Sequence, residues 1–284
     1  MKASARRFRR GLLLSIYFLL SGVGSLFPMF SLAAEPIADC SESNLRQALV
    51  NGGTVSFNCD GRIILSETLT ISVDTVLDAS GRQVTLSGNA QVRVLHVLPG
   101  VHVTLINLKI ADGRSSIGAG LYNDDGVVTL INCVVATNQA IGLSGVNGTN
   151  APLDQSLSPG GNAIPGGEAK GGGIFNAGLL RVTNTVFLGN TALGGVGGAG
   201  GRGGDGQVFV MPPRLCRSIG VGAGGLGGDG GDAFGGAIYN LGEASLHNVT
   251  AADNRATGGA GEWIKRRLDT KIVPRLNRPL ERPR

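Results

Sequence analysis

The chain has 284 residues, of which 48 are glycine and 16% are charged, with a formal net charge of +5. That excess belongs to the ends, since residues 1–34 hold five cations and no acid and residues 264–284 hold eight more cations. Residues 35–263 carry 12 basic against 18 acidic side chains, so the body has no cationic surplus to neutralise phosphates, which excludes a nucleic-acid function.

Lys2, Arg6, Arg7, Arg9 and Arg10 precede the apolar run Gly11–Leu20, a positive region before a hydrophobic one. The stretch ends in Ser31-Leu32-Ala33-Ala34, with small residues placed for cleavage after Ala33. This predicts a signal peptide over 1–34 and export by the general secretory route. An uncleaved membrane anchor is the alternative, because the apolar stretch is long enough to span a bilayer. The segment 35–62 is expected to form an amino-terminal cap. In an oxidising compartment Cys40 and Cys59 would close a loop of about twenty residues, for which chain entropy predicts ~3 kcal/mol. Cys133 and Cys216 are expected not to pair with each other, Cys133 being a buried small hydrophobe. Between the first two cysteines, Ser41-Glu-Ser-Asn-Leu45-Arg-Gln-Ala48-Leu49 reads as a short amphipathic helix. It is capped by Ser41 or Ser43, stopped at Asn51-Gly52-Gly53, and placed to cover an open first coil.

Short β-rich runs follow at Ile63–Leu65, Leu69–Ile71, Thr75–Leu77, Val84–Leu86, Arg93–Val97 and Val103–Ile110. Their spacing also fits an antiparallel sandwich or barrel. Internal repetition favours a parallel coil instead. Gly118-Ala-Gly-Leu-Tyr-Asn123, Gly171-Gly-Gly-Ile-Phe-Asn176 and Gly235-Gly-Ala-Ile-Tyr-Asn240 superimpose, each followed by a turn and an alternating strand. Asparagines then recur at two matched offsets, Asn132 with Asn138, Asn184 with Asn190, and Asn248 with Asn254. Together with Asn123, Asn176 and Asn240 they form three columns. Val128, Leu180 and Ala244 form one apolar column, Leu130, Val182 and Leu246 a second, and Val135, Phe187 and Ala251 a third. Stacked units that cannot bury an apolar face alone produce such columns. The expected fold is all-β, a right-handed parallel β-helix over 63–262 with a short amino-terminal capping helix. Stacked asparagines would satisfy buried backbone groups at the corners and tolerate left-handed backbone there. Two glycine-rich insertions, about 141–170 and 193–232, are expected to be mobile loops. The Pro- and Arg-rich stretch 263–284 is expected to be a disordered tail.

The Gly235-to-Asn240 type of lead-in, with the later Asn-x-Ala step, resembles the repeats of chlamydial polymorphic outer-membrane proteins. It is similar also to large bacterial surface proteins with pectate-lyase-like β-helices. The stretch Cys40–Leu49 with Cys59 resembles the segment that opens many of these chains. The resemblance spans about residues 38–262 and implies a surface or adhesin-like module, secreted or held at the outer membrane.

Chemistry is less legible than architecture. Asp124-Asp125, the one adjacent acidic pair, occupies a turn where the other repeats have Ala177-Gly178 and Leu241-Gly242, so an exposed turn explains it. His96, His102 and His247 follow no nucleophile or metal motif. Gly200–Asp205 and Gly224–Asp229 imitate the start of a calcium-binding nonapeptide, but Gln207 and Gly231 stand where it needs a hydrophobe. The expectation is therefore a non-catalytic adhesive or structural scaffold with no catalytic residues, cofactor or metal. Its partner would be a glycan or other cell-surface ligand, and membrane association would come only through an uncleaved signal or a missing anchor. The alternative is a carbohydrate-active enzyme of the pectate-lyase-like fold, either a polysaccharide lyase or a glycoside hydrolase. The abrupt loss of pattern after Gly261 further predicts a truncated or frame-altered version of a longer repeat protein.

Overall fold

Strict alternation of apolar and polar residues makes short strands whose odd positions face one way. The computed structural model describes residues 35–152, 157–206, 208–211, 215–218 and 220–262. The expected signal peptide and the expected tail from 263 lie outside the described residues. The chain visits the same sheets in the same order again and again. The first sheet stacks Gly53–Ser56, Thr75–Asp78, His102–Ile106, Val127–Ile131, Leu179–Thr183 and Glu243–His247. The second stacks Gly61–Ile64, Val84–Ser87, Leu108–Ala111, Val134–Ala136, Val186–Leu188 and Thr250–Ala252. A third holds Leu69–Ile71, Leu95–Val97, Leu121–Asn123, Ile174–Asn176 and Ile238–Asn240, and a fourth runs from Arg114–Ser115 to Arg255–Thr257. Every pairing within these four sheets is parallel, which is consistent with an all-β parallel solenoid and leaves no place for an antiparallel sandwich. The stack already begins at Gly53, inside the segment expected to be only a cap.

The apolar columns are in register as their repeats imply. Val128 pairs with Leu180 and Leu180 with Ala244, Leu130 with Val182 and Val182 with Leu246, and Val135 with Phe187 and Phe187 with Ala251. The side chains of Val128, Leu130, Val135, Leu180, Val182 and Phe187 belong to one continuous core running from Ile37 to Phe187. The helix Glu42–Leu49, N-capped by Ser41, adds Leu45 and Leu49 to its amino-terminal end. A disulfide joins Cys40 to Cys59 beside it. Cys133 is a free, buried thiol, and burial pushes its pKa up.

Two of the three asparagine columns are internal. Asn123 Nδ2 donates to Asn176 Oδ1 at 2.6 Å, and Asn176 Nδ2 donates to Asn240 Oδ1 at 2.6 Å. Asn138 and Asn190 repeat the pattern, each donating at 2.9 Å to the next amide, and also donate to the core-facing carbonyls of Ile110 and Val135. The third column corrects the expectation of burial. Asn132, Asn184 and Asn248 are exposed corner residues with φ of 53°, 51° and 51°. They serve the left-handed backbone rather than a buried amide network, although Asn248 still donates to Asn184 across the surface.

The glycine-rich insertions are a second correction. Their described parts run outward at 142–151, 194–204 and 258–262 and return at 160–169 and 222–231, bonded at every third residue. Gly161, Ile164 and Gly167 donate to Thr149, Val146 and Leu143, and Gly195, Gly198 and Gly201 donate back to Gly167, Ile164 and Gly161. Gly225, Gly228 and Gly231 continue the series onto Gly201, Gly198 and Gly195. Three residues per turn is the period of the polyproline II conformation, which has no hydrogen bonds of its own and so needs neighbours. The missing Cβ is what lets those neighbours approach: one on Gly195 would lie 1.8 Å from the Leu143 carbonyl oxygen. The expectation of mobility weighed only side-chain burial, whereas these segments are joined through their backbones.

Candidate functional site: an aromatic column on the third sheet

In each strand of the third sheet the middle residue of the triplet points away from the core. Leu95 and Val97, Leu121 and Asn123, and Ile174 and Asn176 are buried, and His96, Tyr122, Phe175 and Tyr239 line up between them on the side away from the core, Phe175 buried and the other three half-buried. Their rings stack from rung to rung, with centroids 4.9 Å apart for His96 and Tyr122, 5.1 Å for Tyr122 and Phe175, and 5.6 Å for Phe175 and Tyr239. Gly118, Gly171 and Gly235, at φ of 55°, 65° and 61°, fold the preceding residues Ile117, Lys170 and Phe234 alongside. Phe234 packs on Tyr239 at 5.7 Å.

Charge borders the column at both ends. The Arg93 guanidinium lies 4.9 Å from the Tyr122 ring centroid and is held there by the Ile117 and Gly118 carbonyls and the Ser115 hydroxyl. Tyr122 donates its hydroxyl proton to Asp124 at 3.2 Å. Burial, then the Asp124 charge, raise the Tyr122 pKa, so the phenol stays neutral. His96 Nε2 is buried 3.8 Å from Asp124 Oδ2, too far for a hydrogen bond, and has no hydrogen-bond partner among the described residues. Burial and then the neighbouring Arg93 charge lower the His96 pKa, and the Asp124 carboxylate only partly offsets them. Further along, Lys170 pairs with Glu168, which raises its pKa, and stands 5.8 Å from the Phe234 ring and 5.9 Å from the Tyr239 ring.

The residues singled out for chemistry do not all meet here. Asp124 does, through its contact with Tyr122. Asp125 turns away at φ 60° into a shallow corner groove with Gly126, Gly178 and Glu243. His102 sits on the first sheet with Asp74, whose pKa is lowered chiefly by the bond from the His102 backbone N–H. His247 is exposed at the far end of that sheet. In the glycine segment, Asp205 is paired with Arg202, and among the described residues no three metal-binding side chains come together. Sequence reasoning missed Arg93, Lys170 and Phe234, which lie outside the matched triplets. The aromatic in each triplet was visible, and the alternation of the strand was the signal that it faces out. Comparison with known protein families, with curated proteins and with solved structures finds no match for this chain.

Proposed function

We propose that the chain is a secreted or cell-surface, right-handed parallel β-helix that binds an extended glycan along the aromatic column and does not cleave it. The handedness follows from the strong right-handed preference of parallel crossover connections. The Cys40–Cys59 disulfide supports an oxidising compartment. The observation that carries the ligand is the column itself, four rungs of ring edges and hydroxyls bordered by Arg93, Asp124 and Lys170. Rungs repeat every ~4.8 Å, so the surface is matched to a ligand that also repeats along its length. Apolar ring edges take the C–H faces of sugars, and the charged groups take their hydroxyls. A second reading, a carbohydrate-active enzyme, is favoured by the closeness of His96, Tyr122 and Asp124, since a neutral imidazole beside a carboxylate is a possible acid–base pair.

Binding to a panel of immobilised polysaccharides tests the first reading. Tyr122→Ala and Tyr239→Ala are each expected to weaken binding at least tenfold, about 1.4 kcal/mol, with no change in the polymer. Release of shortened or unsaturated sugars, abolished by Asp124→Asn, would establish the enzyme instead. Unchanged binding in both tyrosine variants removes the column as the site.

A further inference from the structure

The last described rung is built like those beneath it but is uncovered. Leu246 continues the column of Leu130 and Val182, which are 0% and 1% exposed, yet is itself 53% exposed. Ala244, Ala251 and Ala256 are exposed where their partners Leu180, Phe187 and Ala192 are buried. The glycine segments carry the same mark. A Cβ on Gly194 or Gly197 would lie 1.9 Å from the Gly231 or Gly228 oxygen of the next returning segment. Gly258 and Gly261 occupy the equivalent positions one rung on, and a Cβ there would meet nothing nearer than 3.5 Å. Glycine is kept where nothing described requires it.

We propose that this end face docks a second copy of the same chain, face to face about a two-fold axis. An occupant must bring strand edges for the exposed rung and a glycine-faced segment for Gly258 and Gly261. The same face of a second copy brings both. A two-fold axis sets the two outgoing segments antiparallel, which is how outgoing and returning segments already meet, Gly225 and Gly228 donating to Gly201 and Gly198, and Gly259 and Glu262 to Gly231 and Gly228. Strand edges also pair antiparallel without strain. The opposite end carries the helix Glu42–Leu49 over the first strands, so the contact is isologous and closes as a dimer rather than growing into a filament. Covering the open edge also removes a template for indiscriminate strand pairing.

Sedimentation velocity on the purified full chain, from about 1 to 100 μM to bracket a micromolar Kd, tests this. The expected result is a concentration-dependent dimer. Leu246→Lys and Gly261→Val are each expected to weaken it at least tenfold while leaving the monomer's melting temperature unchanged, whereas Gly197→Val disturbs the monomer itself. A wild-type chain that is monomeric throughout, or variants that dimerise as well as the wild type, overturns the proposal. So does a Gly261→Val monomer that melts early, because another part of the same chain would then fill the face.

Discussion

Asparagine does two different jobs at the corners of the stack, and single substitutions separate them. Asn190 is buried and its side chain takes part in four hydrogen bonds, accepting from the Asn138 backbone and amide and donating to Val135 and Asn254. Asn190→Leu strands those partners and is expected to cost at least about 1–3 kcal/mol in denaturant unfolding. Asn184 is exposed at φ 51°, so Asn184→Leu is expected to cost about 1–2 kcal/mol through the backbone, and Asn184→Gly to be nearly neutral. Equal losses for the glycine and leucine variants at 184 would show that its amide, not its φ, matters. His96 sets a pH dependence. Its pKa is lowered by burial and by Arg93, so the unfolded chain takes up a proton first as pH falls. Stability is therefore expected to drop as pH falls below about 6.5 and to level off below the folded-state pKa. Arg93, Tyr122 and Asp124 are the charged and titratable groups around it. His96→Phe should flatten the melting-temperature profile there. An unchanged profile would place the pH effect elsewhere.

The glycine segments behave as elements in their own right. Segments 194–204 and 224–231, in the middle of the layered arrangement, read Gly-Gly-x, with both glycines pressed on neighbours, Gly224 excepted, and the third residue exposed, as at Val196 and Leu226. The outermost segment, from Gly142, keeps only every third glycine because it has one close side. Glycine frequency thus counts neighbours. A Cβ on Gly198 would sit 2.1 Å from the Val146 oxygen, whereas one on Gly224 would find its nearest atom at 3.6 Å. Gly198→Ala is expected to cost about 1–3 kcal/mol of overpacking, and Gly224→Ala to be neutral or slightly stabilising. Hydrogen exchange at the amides of 195, 198, 201, 225, 228 and 231 is the right measurement, because the segments can open without melting the stack. Equal, fast exchange in the wild type would mean that the ladder does not hold in solution.

At the scale of the whole molecule, stability is a sum over rungs and their interfaces, so the aromatic column, the amide columns and the open end face all follow from one repeat. The sequence by itself determined that repeat. The same six-residue step from Asn132 to Asn138, Asn184 to Asn190 and Asn248 to Asn254 forces identical local turns, and alternation in Val127–Ile131 and Leu179–Thr183 decides which side chains go inside. Both are local or periodic properties, and they survive insertions that stretch the separation of equivalent asparagines from 52 to 64 residues. The disulfide and the capping helix are local in the same sense. Tertiary structure decided what stands beside what. Arg93 reaches Tyr122 through hydrogen bonds to a segment 24 residues away, and Lys170 meets Phe234 because two left-handed glycines lay their loops in register. No periodicity marks these residues, because one copy each suffices. Likewise composition alone reads the glycine tracts as too poor in side chains to fold. Only the stack, by delivering each tract beside the last, places their backbones close enough to bond.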